Sequence, residues 1–325
     1  MLISVIVPCY NEQDVLHATH ERLTSVLAGM AWLDYELIFV NDGSHDDTQL
    51  ILAQLQRVDP HVRVLLLSRN FGHQIAVTAG LEEASGDAVV IIDADLQDPP
   101  EVIPQMIQLW RDGNDVVYGL RIDRQGESKF KLWTAKVFYR LINRLSETKM
   151  PFDAGDFRLL DRRVVEVINE MPERARFLRG MVSWTGFRQI SLPYERAPRH
   201  AGTSKYPLTK MIGFAMDGII SFSLVPLKLA IWTGFLAMGI AIAGIIAAII
   251  DRLTEKNIAR GWASLFVAVL FMGGVQLVSL GILGEYLGRI YTEVKRRPLY
   301  VVQERLGFIS ATKAGSDRKQ MNAVV

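Results

Sequence analysis

Two apolar runs near the C-terminal end limit what this chain can fold into more than any other feature. Residues 229–250 are apolar throughout, with Trp232 near their start, and residues 262–283 form a second run whose only strongly polar member is Gln276. Each run holds about twenty residues, the length at which an α-helix crosses the hydrocarbon core of a bilayer. Backbone N–H and C=O groups find no water there, so a single segment can satisfy them only as a helix. The charged link 251–260 is short, so the two runs read as a helical hairpin whose ends lie on one side. The tail carries Arg289, Lys295, Arg296 and Arg297, and the link carries Arg252, Lys256 and Arg260 beside acids that count for little. That asymmetry slightly favours cytoplasmic ends. Gly273, Gly274, Gly281, Gly284 and Gly288 permit close helix packing, either within the hairpin or between subunits.

The rest of the chain has a different character. With 325 residues there is room for one large or two modest domains; the 50% hydrophobic content sits near the top of the soluble range, and the excess lies in the hairpin. A net charge of +1 implies no polyanion partner for the chain as a whole. The single Cys9 has no internal disulfide partner, fits a reducing compartment, and is expected as a small buried residue at a strand end. Residues 2–7 are too short for a secretory leader and run into Pro8, so none is expected.

Apolar periodicity divides the first part into alternating elements. Strands are expected over 2–7, 35–40, 62–67, 88–92 and 116–118. Helices are expected over 15–27, from 46 or 47 through 55, over 72–84 and over 102–110, with Asp46 or Asp47 capping the second. Such alternation predicts an α/β fold: a mostly parallel, Rossmann-like sheet with helices on both faces.

The fourth strand ends in acids. Val89-Val90-Ile91-Ile92 leads into Asp93-Ala94-Asp95-Leu96-Gln97-Asp98, and Pro99-Pro100 stops it. In extended backbone, residues i and i+2 point the same way, so Asp93 and Asp95 are expected to converge at the carboxyl end of the strand. Open α/β sheets bind their ligands at that edge. Two carboxylates there call for a cation, and all-oxygen ligation suits Mg²⁺ or Mn²⁺ against a diphosphate; the alternative is an ordinary acidic turn. Three more polar strand ends share the edge: Pro8-Cys9-Tyr10-Asn11-Glu12, Asn41-Asp42-Gly43-Ser44 and Ser68-Arg69-Asn70. There Asp42 could read a base edge, Tyr10 could pack beside a ribose or base, and Arg69 could meet phosphate oxygens. Asn-Asp-Gly-Ser is also a good generic turn.

Between domain and hairpin the pattern changes. In residues 127–149, Phe130, Trp133, Val137, Phe138, Leu141 and Leu145 form one apolar stripe, while Lys129, Lys131, Lys136, Arg140 and Arg144 decorate the rest. This is the pattern of an interfacial helix on an anionic membrane, or of a helix packed on the core with a basic outer face. Residues 207–223 form a second such candidate.

Val5-Ile6-Val7-Pro8-x-Tyr10-Asn11-Glu12, Val40-Asn41-Asp42-Gly43-Ser44 and Asp93-Ala94-Asp95-Leu96-Gln97-Asp98-Pro99-Pro100 resemble glycosyltransferase family 2. The likeness is nearest to its polyprenyl-phosphate branch, which includes dolichol-phosphate mannosyltransferases and bactoprenol glucosyltransferases, and the hairpin points to the bactoprenol type. The resemblance covers nearly the whole chain. It implies a GT-A domain over residues 1–203, a juxtamembrane amphipathic region over 204–228, two transmembrane helices over 229–284 and a cytoplasmic tail over 285–325. Carried over by position, Pro8, Tyr10, Glu12, Asp42, Arg69 and Asp93 would bind the nucleotide, and Asp93, Asp95 and Gln97 would surround the metal. Gly119-Leu120-Arg121 resembles the family's Gly-x-Arg, which gives Arg121 a phosphate of donor or acceptor. Phe152-Asp153-Ala154-Gly155-Asp156-Phe157-Arg158 resembles its acceptor-side loop, with Asp156 as the usual base, Asp153 as the other candidate and Arg158 beside it. Arg196, Arg199 and Gly202-Thr203-Ser204-Lys205 resemble a phosphate-binding loop, in which Arg199 and Lys205 would meet the acceptor.

The resemblance further implies an inverting, metal-dependent transfer of a hexose, foremost glucose from UDP-glucose, to polyprenyl phosphate. The partners would be the nucleotide-sugar, the lipid acceptor and other copies of the chain, a tetramer being the candidate assembly. The place would be the bacterial inner membrane, with the catalytic domain and both termini cytoplasmic. The acceptor is a phosphate monoester with a second pKa of about 6, so little proton remains to be removed at neutral pH; Asp156 is therefore expected to orient more than to deprotonate. Alternatives are another donor, GDP-mannose or a modified pentose, and a non-enzymatic anchor or flippase with a vestigial domain. A processive synthase is disfavoured because no Gln-x-x-Arg-Trp occurs, and a nucleotide-sugar dehydrogenase or epimerase because no Gly-x-Gly-x-x-Gly follows the first strand.

Overall fold

The computed structural model of the chain describes residues 1–122, 154–195, 225–253 and 262–308. The basic stripe of 127–149, the second amphipathic candidate of 207–223, Asp153, Arg196, Arg199 and Lys205 lie outside the described residues.

The alternation predicts the first half closely. The chain runs through β1 (Leu2–Cys9), α1 (Leu16–Ala28), β2 (Asp34–Asn41), α2 (Thr48–Val58), β3 (Val62–Leu67), α3 (His73–Glu83), β4 (Ala88–Ile91), a short 3-10 turn, α4 (Ile103–Arg111) and β5 (Val116–Arg121). Apolar side chains on both faces make the central strands continuous buried runs. Ile3, Val5, Val7 and Phe39 share one core with Leu16, Leu23, Leu52 and Ile103, so α1, α2 and α4 cover that face. Ile6, Ile38 and Leu65 share the other core with Ala76 and Val77 of α3. Cys9 is buried at the end of β1, as expected of it.

The sheet is mixed where the alternation alone predicts parallel pairing. Its eight strands lie in the order β7-β5-β6-β4-β1-β2-β3-β8. Pairs β1–β2, β1–β4, β2–β3 and β5–β7 are parallel. β6 (Ala154–Asp161) enters antiparallel between β4 and β5, so β5 is not the neighbour of β4. The acceptor-side segment is therefore in large part a strand. Phe157 and Leu159 face one core and Leu160 the other, which is why β6 tolerates a central place. Asp161 then caps α5 (Arg162–Glu170), its carboxylate accepting from the Arg163 amide at 3.0 Å. α6 (Leu178–Trp184) and β7 (Gln189–Tyr194) complete this side.

Helices α7 (Val225–Leu253) and α8 (Trp262–Val294) form the hairpin and pack on each other. Two stretches, Leu227–Gly244 and Ala268–Val294, are long and apolar enough to cross a membrane. Trp232, Phe235, Leu236, Leu270, Phe271 and Leu277 are all exposed on their outer faces. A surface of that kind fits a lipid environment and not water. The tail region does not simply trail away. After α8 the chain returns as β8 (Val302–Leu306), antiparallel on β3. The Tyr300 hydroxyl donates to Glu82 at 2.6 Å, Arg305 to Glu83 at 2.8 Å, and the Arg174 amide to Glu293 of α8 at 2.9 Å. These bonds fasten hairpin and catalytic sheet together.

Candidate active site

Strand order reverses between β1 and β4, since β2 continues one way from β1 and β4 lies on its other side. Ligands in open α/β sheets settle beyond the carboxyl ends at such a switch point. The ends of β1, β2, β3 and β4, with the polar signatures read from the sequence, meet there.

The first two loops lock each other. Asn11, at φ 55°, turns the chain after β1; its amide donates to Ser44 Oγ at 3.0 Å and its side-chain oxygen accepts from the His45 amide at 2.9 Å. Gly43 sits at φ 67°, where an added Cβ would lie 2.3 Å from the Arg69 carbonyl carbon. Only glycine lets the β2 loop lie so close against the β3 loop. Asp42 is buried and accepts from the Phe71 amide at 2.7 Å and the Gly72 amide at 2.9 Å. Burial pushes its carboxyl up from the ordinary value, against the pull of those two amides. Its first task is therefore to hold the turn into α3; one lone pair on each oxygen is left for a ligand. Tyr10 stays exposed, edge-on to His45, and Pro8 is buried within β1. Glu12 is half-buried, and its amide donates to Thr48 Oγ1 at 3.0 Å. Arg69 lies over the Phe71 ring at 4.0 Å and donates to the Asn70 carbonyl at 2.9 Å.

The acidic end of β4 reaches the same edge by a route other than the pleat. The strand stops at Ile91, residues 94–95 form a turn, and Leu96 takes φ 58°. Asp95 accepts from the Gln97 amide at 3.1 Å, closing that turn. Convergence of Asp93 and Asp95 thus comes from a turn, which corrects the alternation argument. The more telling neighbour of Asp93 comes from β6. Ile91 pairs with Arg158 at the end of the antiparallel ladder, and just beyond it Asp93 and Asp156 come close enough to share one neighbour and to repel. His73 Nε2, on α3, lies 3.8 Å from Asp93 Oδ1 and 3.7 Å from Asp156 Oδ2. Burial pushes the Asp93 carboxyl up to about 6, against the pull of His73 and with help from Asp156, Asp98 and Asp95.

Four carboxyls in one cleft carry more negative charge than the neighbouring cations offset at Asp93, and a divalent cation fits that excess. Among the described residues no three His, Cys, Asp or Glu side chains are already gathered as a closed ligand set. Asp93 and Asp95 would hold such an ion through hard carboxylate oxygens, and it would supply positive charge at this edge. Gln97 is half-buried beside them.

The arginines divide their work. Arg179, at the start of α6, donates Nε to Asp156 Oδ1 at 2.8 Å and Nη2 to Oδ2 at 3.0 Å. Burial alone would raise the Asp156 carboxyl, but Arg179, with His73 and Arg158, holds it well below the usual carboxylate range. Arg158 is only 3% exposed and donates to the Gly155 carbonyl at 2.9 Å. That bond braces β6 from inside the fold. Arg121 donates Nε to Tyr194 Oη at 3.2 Å and lies 3.6 Å from Asp98 Oδ1, to which the Tyr194 hydroxyl also donates. Gly119 leaves room for this arrangement: a Cβ there would lie 2.6 Å from the Tyr194 ring. His73, Arg179 and Tyr194 were not singled out from sequence. The Ile190, Leu192, Tyr194 alternation was a readable strand signal; nothing local marks Arg179.

A GT-A-like sheet with acids and arginines at its switch point is the architecture of a glycosyltransferase. Residues 4–168 match glycosyl transferase family 2, and residues 225–290 match the GtrB C-terminal hairpin. The chain belongs to glycosyltransferase family 2 and is a glycosyltransferase. It is 48% identical over 304 residues to the uncharacterized glycosyltransferase YkcC of Bacillus subtilis, covering 94% of each chain. It is 43% identical over 304 residues to the SfII prophage-derived bactoprenol glucosyl transferase of Shigella flexneri, covering 94% of this chain and 98% of that one. Among solved structures it resembles glucosyl-3-phosphoglycerate synthase from Mycobacterium tuberculosis in complex with Mn²⁺, UDP-glucose and phosphoglyceric acid. That match has 22% identity and a TM-score of 0.45, and covers 67% of this chain and 77% of that one.

Proposed function

We propose that the enzyme transfers a hexose, glucose from UDP-glucose, to polyprenyl phosphate at the cytoplasmic face of the bacterial inner membrane, with inversion at the anomeric carbon. The observation that carries the reading is the pair Asp93 and Asp156, one on the acidic turn after β4 and one on β6, both within 3.8 Å of His73 Nε2. End-to-end similarity to bactoprenol glucosyl transferases, hairpin included, supports the lipid acceptor.

In this reading an oxygen of the acceptor phosphate forms the new bond to the anomeric carbon as the bond from that carbon to UDP breaks. Bound Mg²⁺ or Mn²⁺ supplies charge neutralisation for the departing diphosphate. Asp93 and Asp95 hold the donor end, and Arg121 lies near enough to share in stabilising the leaving charge. The acceptor is already an anion near neutral pH. Asp156 is gripped by Arg179 through both of its oxygens, and it orients the acceptor side. The hairpin keeps the cleft close to the lipid headgroups, with both termini on the cytoplasmic side.

Incubating the purified full chain with Mn²⁺, radiolabelled UDP-glucose and polyprenyl phosphate tests this directly. Label should move into the organic phase as a lipid-linked product. A panel of nucleotide-sugars, GDP-mannose included, fixes the donor. No lipid-linked product from any donor would overturn the reading.

A further inference from the structure

One polar side chain in the cleft has no part in the reaction just described. His73 opens α3, and its Nε2 is buried without a hydrogen bond. Its nearest charged neighbours are Asp93 at 3.8 Å and Asp156 at 3.7 Å, beyond hydrogen-bond reach but well within strong electrostatic range. Carboxylate oxygens only accept, so the Nε2–H tautomer is the form that complements both sides. Among the described residues His73 is the only ion-pair partner of Asp93 within 4 Å, whereas Asp156 has Arg179 as well.

The backbone around His73 is pinned from both sides. Asp42 accepts from the Phe71 and Gly72 amides just before it, and Gln74 just after it accepts from the Leu178 amide at 3.2 Å. The imidazole is thereby held at a fixed point between two strand ends, and a buried polar atom left unpaired in such a place calls for an explanation. A residue that served only to start α3 would not need to aim a ring nitrogen between two acids.

We infer that His73 is a positioning residue that joins the two halves of the site, steadying the Asp93 carboxylate for the divalent ion and the Asp156 carboxylate for the acceptor through one nitrogen. The inference rests on the reading that Asp93 faces the donor's cation. Two like charges facing each other across a cleft repel and splay unless something of opposite polarity stands between them. Outer-shell partners of metal-ligating groups set ligand orientation, and their loss typically costs about 10–100-fold in metal affinity.

Calorimetric titration of Mn²⁺ into the full chain with UDP present provides a readout independent of turnover. His73→Ala should weaken Mn²⁺ binding by about 10-fold or more and raise KM for polyprenyl phosphate. His73→Gln, whose amide N–H reaches toward the same point, should recover most of both. If His73→Ala does not fold, His73→Asn, whose amide stops short of the acids, replaces it in the comparison with Gln. Mn²⁺ affinity within twofold of wild type in a folded His73→Ala or His73→Asn protein would overturn the role of His73. Absence of Mn²⁺-dependent UDP binding in the wild type would instead overturn the assignment of Asp93, and the inference with it.

Discussion

Arg179 clasps Asp156 with two hydrogen bonds, Nε to Oδ1 at 2.8 Å and Nη2 to Oδ2 at 3.0 Å, joining the start of α6 to the start of β6. The clasp keeps the carboxylate ionised far into acid. If Asp156 orients and does not abstract a proton, Asp156→Asn should lower kcat/KM about 100-fold, the low end of what a positioned group contributes, and the loss should persist at high pH. Initial rates of lipid glucosylation from pH 6 to 9 check this. Recovery toward wild-type rates as the acceptor phosphate ionises fully would restore Asp156 as a base.

Removing the guanidinium leaves a half-buried carboxylate without its strongest partner. Arg179→Ala should therefore destabilise the fold by roughly 1–3 kcal/mol and raise the Asp156 pKa. Thermal unfolding at neutral and acid pH gives both quantities. The Arg179→Ala penalty should shrink in an Asp156→Asn background, because the two groups act as one pair.

Asp93 gives the metal-free protein a pH dependence of opposite sign to that of an ordinary ion pair. Its carboxyl is pushed up to about 6 in the folded state, so the folded chain holds that proton more tightly than the unfolded one. The stabilising contribution is complete below the unfolded value of about 3.9 and is lost as pH rises through about 6. Asp93→Asn should remove this loss, read as a flatter profile of melting temperature against pH between about 4 and about 6 in EDTA.

Gly43 is the tightest backbone contact between two nucleotide-side loops. Gly43→Ala puts a Cβ at φ 67° against the Arg69 backbone, so one of the loops must move. We expect a cost of about 1–3 kcal/mol and a loss of UDP affinity, with the Asp156–Arg179 side intact. Calorimetry with UDP and a melting curve measure the two effects.

Strand β8 makes the segment after the hairpin part of the catalytic sheet. A chain ending after residue 298 keeps α8 but exposes the edge of β3 and frees Glu82 and Glu83 from Tyr300 and Arg305. Its catalytic domain should lose roughly 2 kcal/mol, from the partly buried Val302 and Leu306 side chains, and should aggregate through the open edge. Light scattering and thermal unfolding against the full chain test this.

Much of this was legible beforehand. The first five strands, the first four helices and both hairpin helices follow from apolar spacing, because each buries a continuous run or stripe of its own residues. The polar ends of the first four strands were equally legible, and the sheet topology brings them to one edge. β6 escaped because its signal, Phe157-Arg158-Leu159-Leu160, includes an arginine that is buried among apolar neighbours. β8 escaped because only Val302 and Leu306 are apolar in a stretch read as tail.

Local pattern by itself determined where the chain is strand, helix or hairpin, and which carboxylates end β4, since burial and backbone geometry act over a few residues at a time. Only the tertiary structure decided that β6 enters antiparallel beside β4, that Asp156 comes to share His73 with Asp93, and that Arg179 and His73 arrive from distant helices. Those placements depend on which strand fills the space beside β4, and pairing between segments some seventy residues apart leaves no periodic trace in either one.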